Sequence, residues 1–298
     1  MKYCSVLEIA QKWGVSGRSV RGYCAEGRIE GAFLTGKTWN IPENAEKPDR
    51  INKHTDTPKT LLEALRKEKN ARQTGGIYQK IQVDLTYHSN KIENRHLTRN
   101  QIRQLFETNT LDTSEGEVSV DEIIEATNHF KCIDMIIDSA NHAPSETFIK
   151  QLHTVLKGGS PRSCSAKTLS GIYKTEPNTA GSQKTVAPRY VGSEMKKLLA
   201  KYNSIENKDL ETLLTFHYCF ELIHPFPDKN GQIGRLLLFK ECLRNNIVPF
   251  IIEEDIRMLY FRGLKEWQNE PDVLRNIIVF AQGKFKKEMD SFRVPYGE

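Results

Sequence analysis

From Lys59 onward, apolar residues recur every three or four positions through stretch after stretch, and that periodicity most constrains what the chain can fold into. In SVDEIIEATNHFKCIDMIIDSA, the residues Ile123, Ile124, Phe130, Ile133, Ile136 and Ile137 fall on one helical stripe. The same spacing runs through TLLEALRKEKNARQ, QKIQVDLTYHSNKIEN, RNQIRQLFE and SETFIKQLHTVLKG, then through DLETLLTFHYCFELI and LLLFKECLRNN to the tail. Helices of this kind bury their stripes against one another, which predicts a mostly α bundle over residues 59–298. One stretch departs from the pattern. PRSCSAKTLSGIYKTEPNTAGSQKTVAPRYVGS is rich in Gly, Pro, Ser and Thr and reads as loop carrying a short β-hairpin.

Residues 1–48 follow a different logic. SVLEIAQKWGVSGRSVRGYCAEG reads as two short helices broken at Gly14, where a turn needs positive φ. Ala10 is small enough for the helices to cross closely, and Ser16 can cap the second. RIEGAFLTGKTWNIP then reads as two β runs around Thr35-Gly36-Lys37. The segment resembles the winged helix-turn-helix of MerR-like and excisionase-like DNA-binding domains. That resemblance implies DNA contacts from Arg18, Ser19 and Arg21, which share the exposed face of the second helix. Eight Lys/Arg stand against six Asp/Glu in residues 1–50, so affinity for DNA would be modest without a second copy in a homodimer. Residues 49–58, polar and proline-bearing, form the linker.

At 298 residues there is room for two domains, and 38% hydrophobic with 27% charged residues is ordinary for a soluble globular protein. No apolar run approaches the roughly 18 residues of a membrane span, and MKYCSVLEIA carries no signal-peptide pattern, so the expected setting is cytoplasmic. The six cysteines are scattered without a CxxC pair, which argues for free thiols over a disulfide framework or a zinc site.

Within the helical text, HPFPDKNGQIGR at residues 224–235 is poor material for a core. His224 ends one helix; Pro225 and Pro227 forbid helix and stiffen the connection. A second helix starts near Asn230 and Gly231, and its free N–H groups suit an anion. Arg235, one turn in, can clamp phosphate or carboxylate; Asp228 offers the hard oxygen Mg²⁺ prefers; His224 suits a general base. Taken singly, each has an ordinary reading: a histidine C-cap, a loop aspartate, an Asn-Gly turn. Together at this spacing they describe phosphoryl or nucleotidyl transfer to a hydroxyl.

HPFPDKNGQIGR resembles the Fic signature, His-Pro-Phe-x-Asp/Glu-Gly-Asn-Gly-Arg-x-x-Arg, of the Fido-type helical fold, over roughly residues 60–290. The resemblance implies AMP transfer from ATP to a Ser, Thr or Tyr hydroxyl of a protein target, the chain itself among the candidates. It implies His224 as base, Asp228 on Mg²⁺, Asn230 and the Gly231 amide on the phosphates, Arg235 on the terminal phosphate, and Pro225 and Phe226 as structural. SNKIEN at 89–94 is similar to the family's inhibitory pattern, Ser/Thr-x-x-x-Glu-Gly/Asn, on a helix near 82–95. On that likeness, Glu93 pairs with Arg235 and denies the γ-phosphate its seat. A β-hairpin flap over 171–192 would present the target's hydroxyl. Two positions depart from the signature: Lys229 stands for the first glycine and Gln232 for the first arginine. Both stay among the expected phosphate-binding residues. A lysine held at a left-handed backbone angle costs roughly 1–2 kcal/mol but can compensate by turning its ammonium to phosphate, and Gln232 keeps a donor but loses a charge. Both would weaken phosphate binding, leaving phosphate or other nucleotide transfer, or a weak Fic-fold DNA-binding regulator, as alternatives.

Overall fold

The computed structural model describes residues 2–25, 27–48, 58–112, 117–159, 170–181 and 183–296. Its internal contacts divide the chain into two units, Met1–Asp56 and Thr57–Glu298.

The first unit runs β1 (Tyr3–Cys4), α1 (Val6–Trp13), α2 (Gly17–Ala25), β2 (Phe33–Thr35) and β3 (Thr38–Pro42). Ser5 and Glu8 cap α1 reciprocally, and Gly14 ends it at φ 63°. Ser16 Oγ accepts the Ser19 N–H at 3.1 Å and opens α2. The sheet is antiparallel in the order β1-β3-β2, with Tyr3 opposite Pro42 and Phe33 opposite Asn40. The sequence predicts only the two hairpin strands; β1 is two residues long, too short for alternation to register. Val6, Ile9, Ala10, Val20, Cys24, Ile29 and Ile41 form a small core. Arg18 and Arg21 are exposed on α2, while the Ser19 hydroxyl shares a hydrogen bond with Ser16.

The second unit is helical. It contains α3 (Leu61–Ala71), α4 (Ile77–Ile92), α5 (Arg99–Thr108), α6 (Val120–Asp138) and α7 (Glu146–Lys157). A hairpin of β4 (Thr179–Ala180) and β5 (Gln183–Lys184) follows, then α8 (Pro188–Asn203), α9 (Leu210–Ile223), α10 (Asn230–Arg244), α11 (Arg257–Glu266) and α12 (Pro271–Ser291). Starts are marked by side chains that accept a first-turn N–H: Thr60 for α3, Thr98 for α5, Ser145 for α7 and Asp209 for α9. The sequence predicts loop through Gly192, yet α8 begins at Pro188. Proline has no N–H to lose in a first turn, so a residue that reads as a breaker serves here as a start.

α10 is the centre of the bundle, buried along nearly its whole length and packed by α9, α6, α3, α4 and α7. Even Lys240 and Glu241 lie inside it. They pair at 2.9 Å, and Tyr202 OH donates to Glu241 at 2.8 Å, so the buried charges are matched. Cys4, Cys24, Cys132, Cys219 and Cys242 are free thiols; Cys164 lies outside the described residues. Among the described residues no helix is long and apolar enough to cross a membrane.

Candidate active site

The loop between α9 and α10 is held from within. His224 ends α9 in a left-handed conformation (φ 48°), its N–H bonded to Phe220 O at 2.9 Å. Phe226, fully buried, stacks face to face on the His153 ring of α7 at 4.1 Å and 6°, with Tyr173 beside it at 5.5 Å. Asn230 bonds both ways to Phe226: its Oδ1 accepts the N–H at 2.8 Å and its Nδ2 donates to the carbonyl at 2.8 Å. The side chain expected to cradle phosphate thus closes the loop. Pro225 supplies a carbonyl to the Lys174 N–H at 2.8 Å.

Lys174 ties the loop to the hairpin. Its ammonium donates to Asn178 Oδ1 (2.6 Å), Thr185 Oγ1 (2.7 Å) and Ile223 O (3.1 Å), and burial pushes its pKa down to about 8. Asn178 also reaches Phe226 O at 2.8 Å. The hairpin itself is shorter than expected, spanning Thr179–Lys184.

Burial pushes the His224 imidazole down to about 4, so at neutral pH it is uncharged and able to accept a proton. Among the described residues its Nδ1 has no hydrogen-bond partner, and Glu221 Oε2 lies 3.8 Å away. Burial lifts the Glu221 carboxyl to about 7, against the pull of Arg235.

Arg235 and α4 meet across the start of α10. Ser89 Oγ accepts from Arg235 Nε at 3.2 Å and Nη2 at 3.1 Å, and Ser89 O accepts from Nη2 at 3.2 Å. Glu93, one turn on, accepts from the same Nη2 at 2.9 Å. Burial would raise the Glu93 carboxyl, but the Arg235 guanidinium overrides it and holds the group below its usual range. Arg235 responds in kind: burial disfavours its charge, and Glu93 lifts its pKa. Gly231 makes the approach possible, because a Cβ there would stand 2.9 Å from Glu93 Oε1 and 3.0 Å from Arg235 Nη1.

The two departures from the signature are both engaged. Lys229 adopts φ 62°, the left-handed angle expected of the glycine it replaces. Its ammonium turns to Glu125 of α6 at 2.7 Å instead of facing a phosphate. Gln232, buried, donates to Asn90 of α4 at 2.8 Å.

His153, Lys157, Glu125 and Glu221 join the site from outside the motif. His153 and Lys157 had left a signal. They occupy the apolar-stripe positions of α7 beside Ile149, Leu152 and Leu156, where a charged or polar residue needs a buried partner. That partner is Asp228. Lys157 donates to its Oδ2 at 2.7 Å and His153 Nε2 lies 3.3 Å from Oδ1. The Gly171 N–H occupies His153 Nδ1 at 2.8 Å, so a neutral ring carries its proton on Nε2 and donates to Asp228. Burial would raise Asp228, but these two donors hold it down at about 2.

Mg²⁺, implied by the resemblance, has Asp228 as its one expected ligand. Both oxygens of that carboxylate already accept hydrogen bonds, one of them from an ammonium. Among the described residues, no three His, Cys, Asp or Glu side chains cluster as a ligand set. The residues as arranged do not fit a metal ion on Asp228.

A helical bundle presenting a histidine, a buried phenylalanine and an arginine-bearing helix start in one loop defines a class, and comparison with known proteins agrees with it. The model of the Fic/DOC family matches residues 143–241, the stretch that holds α7 through most of α10. It is 24% identical over 183 residues to protein adenylyltransferase fic-1 of Caenorhabditis elegans, covering 60% of this chain and 35% of that protein. A probable protein adenylyltransferase of Aquifex aeolicus is 24% identical over 167 residues, covering 53% of this chain and 49% of that one. The chain thus spans half or less of the length of these relatives. A Fic domain-containing signaling protein of Bacteroides thetaiotaomicron shares the fold, with a TM-score of 0.60 and 20% identity over 77% of this chain and 94% of that one.

Proposed function

We propose that this chain is a protein adenylyltransferase that moves AMP from ATP to a Ser, Thr or Tyr hydroxyl of a protein, and that Glu93 holds it off. The observation that carries the reading is the closure of Ser89 and Glu93 on Arg235. An arginine placed to receive an anion beside a helix start receives a carboxylate of its own chain. The names of the relatives support AMP as the group moved. In this reading neutral His224 takes the proton of the target hydroxyl. The freed oxygen attacks the α-phosphorus, the bond from that phosphorus to the β-phosphate oxygen breaks, and pyrophosphate leaves. Arg235 meets the terminal phosphate once Glu93 has swung away. The hairpin Thr179–Lys184 offers strand edges to the target's backbone.

The test is ATP labelled at the α- or γ-position, incubated with purified wild type, Glu93→Gly and Glu93→Gly/His224→Ala. The expected result is α-label on protein, at least tenfold higher in Glu93→Gly than in wild type and lost in the double variant. No α-label in Glu93→Gly with any protein fraction overturns the reading.

A second reading draws on Lys229 and Gln232, both committed to the protein's own side chains. It is phosphate or other nucleotide transfer: γ-label in place of α-label would select phosphate transfer, and α-label from GTP, CTP or UTP in place of ATP would select another nucleotide. For the first unit, we propose DNA binding through Arg18, Ser19 and Arg21 by a homodimer in the cytoplasm. Loss of a gel shift with Arg18→Ala/Arg21→Ala is the expected outcome. DNA binding without transfer of any label would make the chain a regulator with a silent Fic site.

A further inference from the structure

Asp228 is the residue of the loop whose surroundings depart most from a metal-ligand role. Its side chain is 43% exposed, so it faces the open side of the loop, yet both oxygens are taken from behind by α7. Lys157 is the decisive neighbour. Its side chain is only 5% exposed, and its ammonium sits 2.7 Å from Asp228 Oδ2. An ammonium so deeply placed needs a counter-charge, and among the described residues Asp228 is the acceptor it has. It cannot swing out to water without leaving the carboxylate, and the carboxylate cannot take a divalent cation without bringing two positive groups together. His153, one turn earlier on α7, fixes the other oxygen and is itself locked by the Gly171 N–H and by the stack on Phe226. The carboxylate is therefore fixed in place as well as neutralised.

We propose that Lys157 supplies at Asp228 the positive charge that a divalent cation would bring, so that this chain binds the phosphates of its nucleotide without a metal. The inference rests on the reading of the loop as a nucleotide site. It assigns Lys157 as a charge-supplying and positioning residue, with His153 holding the shared carboxylate in register. The cation is built into a helix, so it neither exchanges nor depends on supply.

The test measures ATP binding to the full chain by calorimetry, with Glu93→Gly as background to free Arg235. Each protein is titrated in EDTA and again in Mg²⁺. Glu93→Gly should bind ATP with affinities within about twofold in the two media. Glu93→Gly/Lys157→Met should lose tenfold or more in EDTA and recover in Mg²⁺, the freed carboxylate now taking the ion. Glu93→Gly/Lys157→Arg, which keeps the charge, should stay metal-independent and guards against a loss caused by misfolding. Titration of Mn²⁺ followed by its electron spin resonance adds a readout free of nucleotide: Lys157→Met should gain a bound ion that wild type lacks. A tenfold loss of Glu93→Gly binding in EDTA overturns the proposal, as does tight Mn²⁺ binding to wild type. Binding of ATP in neither medium overturns the nucleotide-site reading itself, and this inference with it.

Discussion

Lys229 carries a conformational cost and an ionic contact at once, and the two can be separated. Its φ of 62° puts a side chain where L residues are strained, by roughly 1–2 kcal/mol. Its ammonium meets Glu125, which also holds Arg95 at 2.9 Å and so keeps a partner if Lys229 is lost. Replacing Lys229 by Ala removes the contact and keeps the strain; replacing it by Gly removes both. Lys229→Gly should therefore be more stable than Lys229→Ala by about 1 kcal/mol, read as a higher urea midpoint at unchanged slope. Equal midpoints would mean that the left-handed angle costs nothing here. The same residue marks how far the sequence reaches. HPFPDKNGQIGR reports its own geometry because its parts are local: a C-cap, a stiffened loop and a helix start within twelve residues. The signature gap at Lys229 was visible, but its partner was not. Glu125, His153 and Lys157 arrive from other helices, the last two 75 and 71 residues from Asp228 in the chain. No local spacing encodes such meetings; only buried polar positions on an apolar stripe hint at them.

At the scale of elements, the helices were legible where one face is wet and one dry. The exceptions have physical causes. α10 is buried on all sides, so it has no amphipathic contrast and shows itself through its motif instead. The start of α8 was hidden by the double meaning of proline, and β1 by its length. How the helices cross is set by small residues, and α11 with α12 gives a case to test. A Cβ on Gly263 would lie 2.8 Å from Leu274 Cα, 2.9 Å from its Cβ and 3.1 Å from its N. Backbone atoms of α12 cannot yield as a side-chain tip can, so Gly263→Ala forces the helices apart. A loss of about 1–3 kcal/mol is expected, the usual cost of overpacking. Gly283, inside α12, has nothing among the described residues within 4 Å of an added Cβ. There Gly283→Ala should gain about 0.5–1 kcal/mol from helix propensity alone. Thermal melts of the two single variants should shift in opposite directions; two shifts of the same sign would show that close approach does not set this crossing.

At the scale of the whole molecule, the buried titratable groups make a pH dependence whose sign can be worked out. Burial, with Arg235 nearby, depresses His129 and His217 to about 3; burial depresses His224 to about 4. In the unfolded chain each titrates near 6.5. Their folded pKa values are the lower ones, so the stability they permit is present above about 6.5 and falls as pH drops toward 4. Glu221 acts oppositely: burial raises it to about 7 from 4.5, so its term is present below 4.5 and lost as pH rises through 7. Around pH 5.5 the unfolded chain binds about three histidine protons that the fold refuses, and the fold keeps one on Glu221 that the unfolded chain releases. The net difference of about two protons gives a slope on the order of 2 kcal/mol per pH unit, with acid destabilising. Asp228 and Glu93 are lowered carboxylates whose terms fade only as pH falls below their unfolded values of 3.8 and 4.5. The window between 6.5 and 5 is therefore set by the histidines, less the opposing proton of Glu221. Urea unfolding at pH 7, 6 and 5 should show the midpoint falling steadily with acid at nearly constant slope. A flat profile across that window would mean that these rings are solvated in the native state, and would remove the ground for reading His224 as a neutral base.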